Sequence, residues 1–484
     1  MSREASRQAE INRGIWRARG IFRDQLNPAD CRNYMLVLLF FRYLSDYRKE
    51  KLEEYRLEYK GDEERVRRRM RRERIILPEG CDFESLHSRR HETNLGELIN
   101  RALEKIEEAN RSNFDGVFRK IDFNSEANLG ETRERNARLK ELLEIFVDQR
   151  LIPGSSERSD SFIGNTYQFL LDRFAEEAGR KGGDNFIPDA VASLMARLLR
   201  PGKGDRVCDP ACGFGSLLIR LAEGAGECAL FGQEPDPQDW AICRMNLFLH
   251  GRENARLEWG NPLSDPKLVE DGVLMKFDIV ATRSPFSLDR WGFLPKNDKY
   301  RRFHRGLPPV NRTDYSFITH LIETTREGTG RAGIVVPLGA LFRGGVEGRI
   351  RRQLIEENLI EAVIGLPANL FYGRPIPSAI LIFNRGKRTS DVLLIDSGKG
   401  LNDQQIDRVV AAYQNFESVE NFAYRSAVRE LRENDFNLNL PKYLGRTGMI
   451  DMPDIKELQK EIDMLESELS KVRIEIGEYL ENTS

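Results

Sequence analysis

The stretch Asp205-Arg206-Val207-Cys208-Asp209-Pro210-Ala211-Cys212-Gly213-Phe214-Gly215-Ser216-Leu217-Leu218 decides the fold. A short apolar strand runs into an acid–proline pair and two glycines, and an apolar helical pattern follows. Glycines at 213 and 215 let backbone come close to a ligand, and a helix starting there offers unpaired N–H groups. The next apolar run ends in Phe231-Gly232-Gln233-Glu234, about 25 residues beyond Asp209. A carboxylate at that strand end can accept bonds from ribose hydroxyls, as in dinucleotide folds. A lone Gly-x-Gly is more often an ordinary tight turn. The preceding acid–proline pair and the spaced Glu234 make this one specific.

Short apolar strands alternate with helical patterns along the following chain. They are expected at Asp205–Cys208, Ala229–Gly232, Phe277–Ala281, Gly333–Pro337, Glu361–Gly365, Ala379–Phe383 and Val392–Asp396. This alternation predicts a doubly wound, mainly parallel α/β sheet, Rossmann-like in type. Such sheets bind ligands beyond the carboxyl ends of their strands. The turn Arg283-Ser284-Pro285-Phe286 follows one of those strands and falls at that edge. Asp209-Pro210 precedes the glycines and no third spaced glycine follows, which reads as S-adenosylmethionine binding rather than NAD.

Outside the sheet the patterns are helical. Apolar residues at Ile15, Ile21 and Leu26, then at Met35, Leu38, Leu39 and Tyr43, recur at helical spacing around Asn27-Pro28, a helix-start signal. Helical patterns continue over Leu95–Asn110 and Glu131–Val147, so residues 1–155 are expected to form an all-helical domain. A turn-rich joint at 152–156 leads to the α/β domain over 156–400 and a helical and loop tail over 401–450. In 451–484, Ile455, Leu458, Ile462, Leu465, Leu469, Val472 and Ile476 step by three and four with charged flanks. That seam predicts a coiled-coil helix that seeks a partner.

A formal net charge of −2 gives no overall nucleic-acid signature, so DNA contacts must come from local basic patches or a partner. The run Arg67-Arg68-Arg69 with Arg71-Arg72 reads first as a solvated, ion-paired helix, and second as a phosphate-contacting face. Six scattered cysteines without companion histidines predict reduced, buried thiols and no metal site. The N-terminus is charged, and the longest apolar run, Tyr34–Phe41, is far short of the ~20 residues a membrane span needs. A cytoplasmic protein is expected.

The chain resembles the modification (M) subunits of type I restriction–modification systems, a family of N6-adenine DNA methyltransferases. The resemblance rests on many motifs in order. Among them are Asp30-Cys31-Arg32-Asn33-Tyr34, Asp122-Phe123-Asn124-Ser125-Glu126, the glycine loop, and Gly232-Gln233-Glu234 with Arg244-Met245-Asn246-Leu247. Further along come Leu341-Phe342-Arg343-Gly344-Gly345, Ile364-Gly365-Leu366-Pro367, Asn369-Leu370-Phe371-Tyr372-Gly373 and Glu433-Asn434-Asp435-Phe436. It implies S-adenosylmethionine as cofactor, held by Phe186, Ile187, Pro188, Asp209, Pro210, Gly213, Gly215, Glu234 and Asn261. It implies DNA as the substrate and a DNA-specificity subunit bound through the heptad helix. A second M subunit and a restriction motor subunit are further partners it implies.

The catalytic turn departs from the family. Arg283-Ser284-Pro285-Phe286 stands where the family has Asn-Pro-Pro-Phe, whose Asn carboxamide and following carbonyl hold the target amine of a flipped base. Guanidinium has donors only, and it sets a permanent cation where a sulfonium must approach. Phe286 keeps the stacking ring. Ile187 replaces a Thr, Phe214 a small residue, and Asn261 an acid. The resulting expectation is a DNA-binding M subunit of a restriction–modification or related phage-defence complex whose methyl transfer is impaired or lost. The alternative is an active enzyme in which Asp289 or Asn311 substitutes as acceptor.

Overall fold

The computed structural model describes residues 3–22, 25–147, 159–179, 186–285, 298–309, 312–371 and 376–445. The expected heptad, the joint at 152–156, Phe286, Asp289 and Asn311 lie outside them.

The N-terminal third is built from α1 (Arg3–Arg17), α2 (Pro28–Glu58), α3 (Glu63–Met70), α4 (Phe83–Ser88), α5 (Leu95–Ala109), α6 (Arg111–Phe114), α7 (Glu126–Leu129) and α8 (Thr132–Val147). Helix α2 is its axis. Asn27 caps it by accepting the Asp30 N–H at 2.9 Å, and Pro28 occupies the first turn, where its missing N–H costs nothing. Every residue from Cys31 to Ser45 is buried, so the other helices surround this segment. In α3, Arg65 pairs with Asp62, Arg68 with Glu64 and Arg69 with Glu73, so two of the five arginines of the basic run are shown ion-paired.

Helix α9 (Ser159–Ala178) packs on α1 and α2, and α10 (Asp189–Leu199) opens the α/β part. There follow β1 (Arg206–Asp209), α11 (Ser216–Glu223), β2 (Ala229–Glu234), α12 (Pro237–Leu249) and β3 (Arg256–Trp259). A hairpin, β4 (Val269–Glu270) and β5 (Val273–Leu274), stands apart from the main sheet. Next come β6 (Ile279–Arg283), α13 (Asp314–Thr324), β7 (Arg331–Pro337), α14 (Gly345–Glu356), β8 (Ile360–Gly365), β9 (Ser378–Asn384) and β10 (Val392–Asp396). The described chain closes with α15 (Asp403–Asn415), β11 (Ala423–Ser426), α16 (Val428–Glu433) and α17 (Pro441–Leu444).

Among the described residues nine strands form one sheet in the order β11-β10-β8-β9-β7-β6-β1-β2-β3. The order reverses at β1, which pairs in parallel with β2 on one side and β6 on the other. The carboxyl ends of β1, β2 and β6 therefore bound a switch point, where doubly wound sheets bind ligands. The sheet is parallel except for β9, antiparallel to both β7 and β8, and β11, antiparallel to β10. One apolar core contains α10, α11 and α15, and a second contains α13 and α14. A third joins the N-terminal helices to α9 and α12. No helix among the described residues is long and apolar enough to cross a membrane.

Candidate active site

Strand β1 delivers Asp209 to the switch point almost fully buried. One carboxylate oxygen accepts the Ala211 N–H at 3.0 Å and the Thr282 hydroxyl of β6 at 2.6 Å. Burial pushes this carboxyl up to about 7, against the pull of those two bonds. The chain then turns through Gly213 at φ +50° and Gly215 at φ +81° into α11. A Cβ at 215 would sit 2.8 Å from the Cys243 sulfur of α12, so packing and backbone both demand glycine there.

Glu234 ends β2 with both oxygens engaged. One accepts the Gly213 N–H and the other the Asp236 N–H, each at 3.0 Å. The acid thus ties the glycine loop to the neighbouring strand, while each oxygen keeps a second lone pair for a ligand hydroxyl. Burial, then the charge of Asp239, raises its pKa above the usual carboxylate range. Phe214 carries the Arg32 guanidinium 4.6 Å from its ring centroid, and its carbonyl accepts from Asn246 at 2.8 Å. This locks the loop to α2 and α12.

Strand β6, between β1 and β7, brings the Arg-Ser-Pro turn beside Asp209. It runs two residues past Ala281, so Arg283 is its last residue, paired with Val335. Arg283 is only 7% exposed, and its guanidinium lies 5.0 Å from the Phe371 ring centroid. Ser284 continues the β7 pairing by donating its N–H to Val335 O at 2.9 Å, a bond no proline can make. Its hydroxyl reaches Asp314 at 3.1 Å, Thr313 donates to Pro285 O at 2.9 Å, and Arg343 bridges Asp314 and Glu347. The turn is held from three elements.

Arg283, Asp209, Glu234, Phe214, Phe186 and Ile187 converge on one cavity, with Ala211, Cys212, Ser216, Leu217 and Pro285 completing its wall. About 30 Å³ remains open, room for a water molecule rather than the several hundred Å³ of a nucleoside site. Of the expected site residues, Pro188, Pro210, Gly213, Gly215, Asn261 and Ser284 stand outside that wall. Pro188 is the N-cap of α10, and the Asn261 carboxamide oxygen accepts the Leu263 N–H at 2.9 Å within its own turn.

Three contributors were invisible in the sequence reading. Thr282 bonds Asp209 across the switch point, and Asp314 anchors Ser284 from the start of α13. Arg302, fully buried, donates to the carbonyls of Pro262 and Leu263 at 2.7 Å each and to Asp298 at 2.8 Å, holding the loop beyond β3. It also donates to His320 Nδ1 at 3.1 Å, and burial, then Arg302 itself, lowers that histidine to about 3. Thr282 had one available signal, its place beside the turn. Arg302 and Asp314 had none.

Fold and site together define a doubly wound methyltransferase of the S-adenosylmethionine-dependent class. Residues 158–451 match the family described as N-6 DNA Methylase, and residues 11–146 match the HsdM N-terminal domain. The type I restriction enzyme MjaVIII methylase subunit of Methanocaldococcus jannaschii is 30% identical over 475 residues, covering 92% of this chain and 80% of that relative. A type I restriction–modification methyltransferase subunit from Streptococcus thermophilus shares the fold with TM-score 0.76 at 25% identity, over 90% of this chain and 99% of its own. A chain from a study of complex assembly and conformational transition in the type I R-M system shares it with TM-score 0.65 at 21% identity, covering 98% and 99%. The chain belongs to the family of type I restriction–modification M subunits, N6-adenine DNA methyltransferases whose cofactor is S-adenosylmethionine.

Glu234 and the glycine loop offer acceptors and close backbone approach suited to that cofactor's adenosine end, and Arg283, a donor-only group, lines the same cavity.

Proposed function

We propose that this chain is the DNA-holding M subunit of a type I restriction–modification or related phage-defence assembly, with methyl transfer to adenine impaired or lost. The observation that carries the reading is Arg283, buried at the carboxyl end of β6 and lining the same cavity as Asp209 and Glu234. A guanidinium offers no acceptor for a target amine. Two cations about 5 Å apart at an effective dielectric of ~20 repel by roughly 3 kcal/mol, enough to weaken sulfonium binding by about two orders of magnitude.

In this reading residues 1–155 contact DNA and partners, and the methyltransferase-like body expected over 156–400 takes in the expected 401–450 tail, whose α15 packs into its core and whose β11 pairs with β10. Residues 451–484 pair as a coiled coil with a DNA-specificity subunit. A second M subunit and a motor subunit complete the assembly, and the specificity subunit reads the DNA sequence. The near-neutral net charge suits a subunit that grips DNA only within such a complex.

The test is transfer of tritiated methyl from S-adenosylmethionine to DNA by the full chain purified with its specificity subunit. The expected result is incorporation at background level, with measurable incorporation restored by Arg283→Asn. Turnover by the unaltered protein at rates matching that variant would establish the active-enzyme alternative. Arg283→Asn is preferred to a double change with Ser284→Pro, which would remove the Ser284 N–H bond to Val335.

A further inference from the structure

A groove of about 460 Å³ lies away from the switch point, along α5 and the chain that follows it. Leu103, Phe118 and Ile121 give it an apolar floor, and Glu104 and Glu108 stand on its wall one helical turn apart. Arg119 is already paired with Glu107 and Asp115, while Asp122 and Arg111 balance in charge, so the groove stays acidic. Glu104 and Glu108 are exposed and make no ion pair among the described residues. Like charges at this spacing repel, and an opposite charge from outside would relieve them.

Helix α3 carries the opposite pattern. Arg67 and Arg71 are one turn apart, since the Arg71 N–H donates to Arg67 O at 3.2 Å. With Arg72 they are exposed and make no ion pair among the described residues. The acids nearby are taken: Asp62 by Arg65, Glu63 by Arg56, Glu64 by Arg68 and Glu73 by Arg69. The chain beyond α3 runs to the end of α5, where both backbone groups of Ile76 bond the Asn110 side chain at 2.7 Å. Ile76, 39% exposed, therefore stands where the arginine run and the acidic groove meet.

We propose that this end of the helical part is a docking face for a second copy of the chain. Each copy lays Arg67 and Arg71 into the acidic groove of the other, about a two-fold axis near Ile76. The two pairs have opposite sign and the same axial spacing, about 6 Å. Arginine stems can cover the apolar floor while their heads reach Glu104 and Glu108. Because each copy carries both patches, the contact is reciprocal and closes at two. An apolar centre with charged flanks is the usual anatomy of such a face. DNA suits it poorly, since the groove carboxylates repel phosphate. Arg74, just past the run, pairs with Glu253 between α12 and β3, at the amino edge of the sheet and opposite the site. The contact goes beyond the proposed function and needs neither DNA nor a specificity subunit, so the two stand or fall separately.

Sedimentation velocity of the full chain over a range of concentrations tests this. The expected result is a reversible monomer–dimer equilibrium whose dissociation constant rises at least about tenfold between about 0.05 M and about 0.5 M salt. Glu104→Gln with Glu108→Gln, which adds no repulsion, is expected to weaken the dimer about tenfold. Glu104→Arg with Glu108→Arg, and separately Arg67→Glu with Arg71→Glu, should each give monomers. Mixing those two reversed variants should restore a dimer of one of each, which also shows that both are folded. Monomers of the unaltered chain at every concentration would overturn the inference. So would a dimer that neither reversal weakens, which would place association elsewhere, or growth beyond two copies. Failure of the reversed variants to pair, with circular dichroism matching the unaltered chain, would overturn it as well.

Discussion

Arg283 is set by its neighbours in the chain as much as by its own chemistry. The pairing of Thr282 and Arg283 with β7 fixes where each side chain goes: Thr282 onto Asp209, Arg283 into the cavity against Phe371. Arg283 was plain in the sequence, but its burial was not, since the strand was expected to stop at Ala281. Ser284 follows the same logic, and Ser284→Pro should cost about 1–3 kcal/mol in urea unfolding through its lost bonds to Val335 and Asp314. An unchanged midpoint would mean those bonds contribute nothing. Asp209 makes a pH prediction. Its folded pKa, about 7, lies above the unfolded value near 3.8. Its contribution to stability is therefore fully present below the unfolded value and is lost as pH rises through about 7, by up to about 4 kcal/mol. Asp209→Asn keeps the acceptor oxygen and removes the titration. The variant should gain on the unaltered protein between pH 5 and pH 8 in melting temperature, and a pH-independent gap would refute the assignment.

At the level of elements, the glycine loop was the most legible part of the chain. Its strand, turn and helix fall within a residue or two of expectation, because acid, proline and glycine constrain backbone locally. What local pattern could not supply was the reason for Gly215, which is the Cys243 sulfur on α12 as much as the positive φ. Gly215→Ala should cost roughly 2 kcal/mol from strain and overpacking together, read by chemical denaturation. The loop beyond β3 depends on Arg302, which no motif marked. Arg302→Met leaves the Pro262 and Leu263 carbonyls without that donor and Asp298 with backbone N–H partners only, with an expected loss of about 3–5 kcal/mol. Adding Asp298→Asn should recover part of that loss, since it removes the stranded charge. Full additivity of the two changes would contradict this account.

Across the whole molecule, the helical part and the sheet meet on α12. Phe248 packs against Phe40, Phe114 and Tyr43 with ring centroids 5.8, 5.1 and 6.4 Å away. Arg244 donates to the carbonyls of Ser112 and Asn113, Arg74 pairs with Glu253 at 3.1 Å, and Arg32 reaches Asp239 at 3.4 Å. A shared core of this kind predicts coincident unfolding of helix content and tryptophan fluorescence. Phe248→Ala should destabilise by about 3–5 kcal/mol and separate the two transitions. Two separate transitions in the unaltered protein would show that the two parts fold independently.

The sequence by itself determined the class of fold, the helical N-terminal third, the glycine loop with its spaced acid, and the family. Each is written in local signals: periodicity, turn chemistry and motifs in order. It also carried Arg283 itself, because a residue's type needs no coordinates to be seen. The tertiary structure alone decided the strand order, the reversed direction of β9, and the presence of β3 and β11, which pair weakly patterned segments with distant partners. It alone brought Thr282, Phe371, Asp314 and Arg302 to the site and turned Asn261 into its own turn. Those facts depend on register and burial. Register and burial come from the partner strand and the surrounding core, and a chain read one residue at a time holds neither.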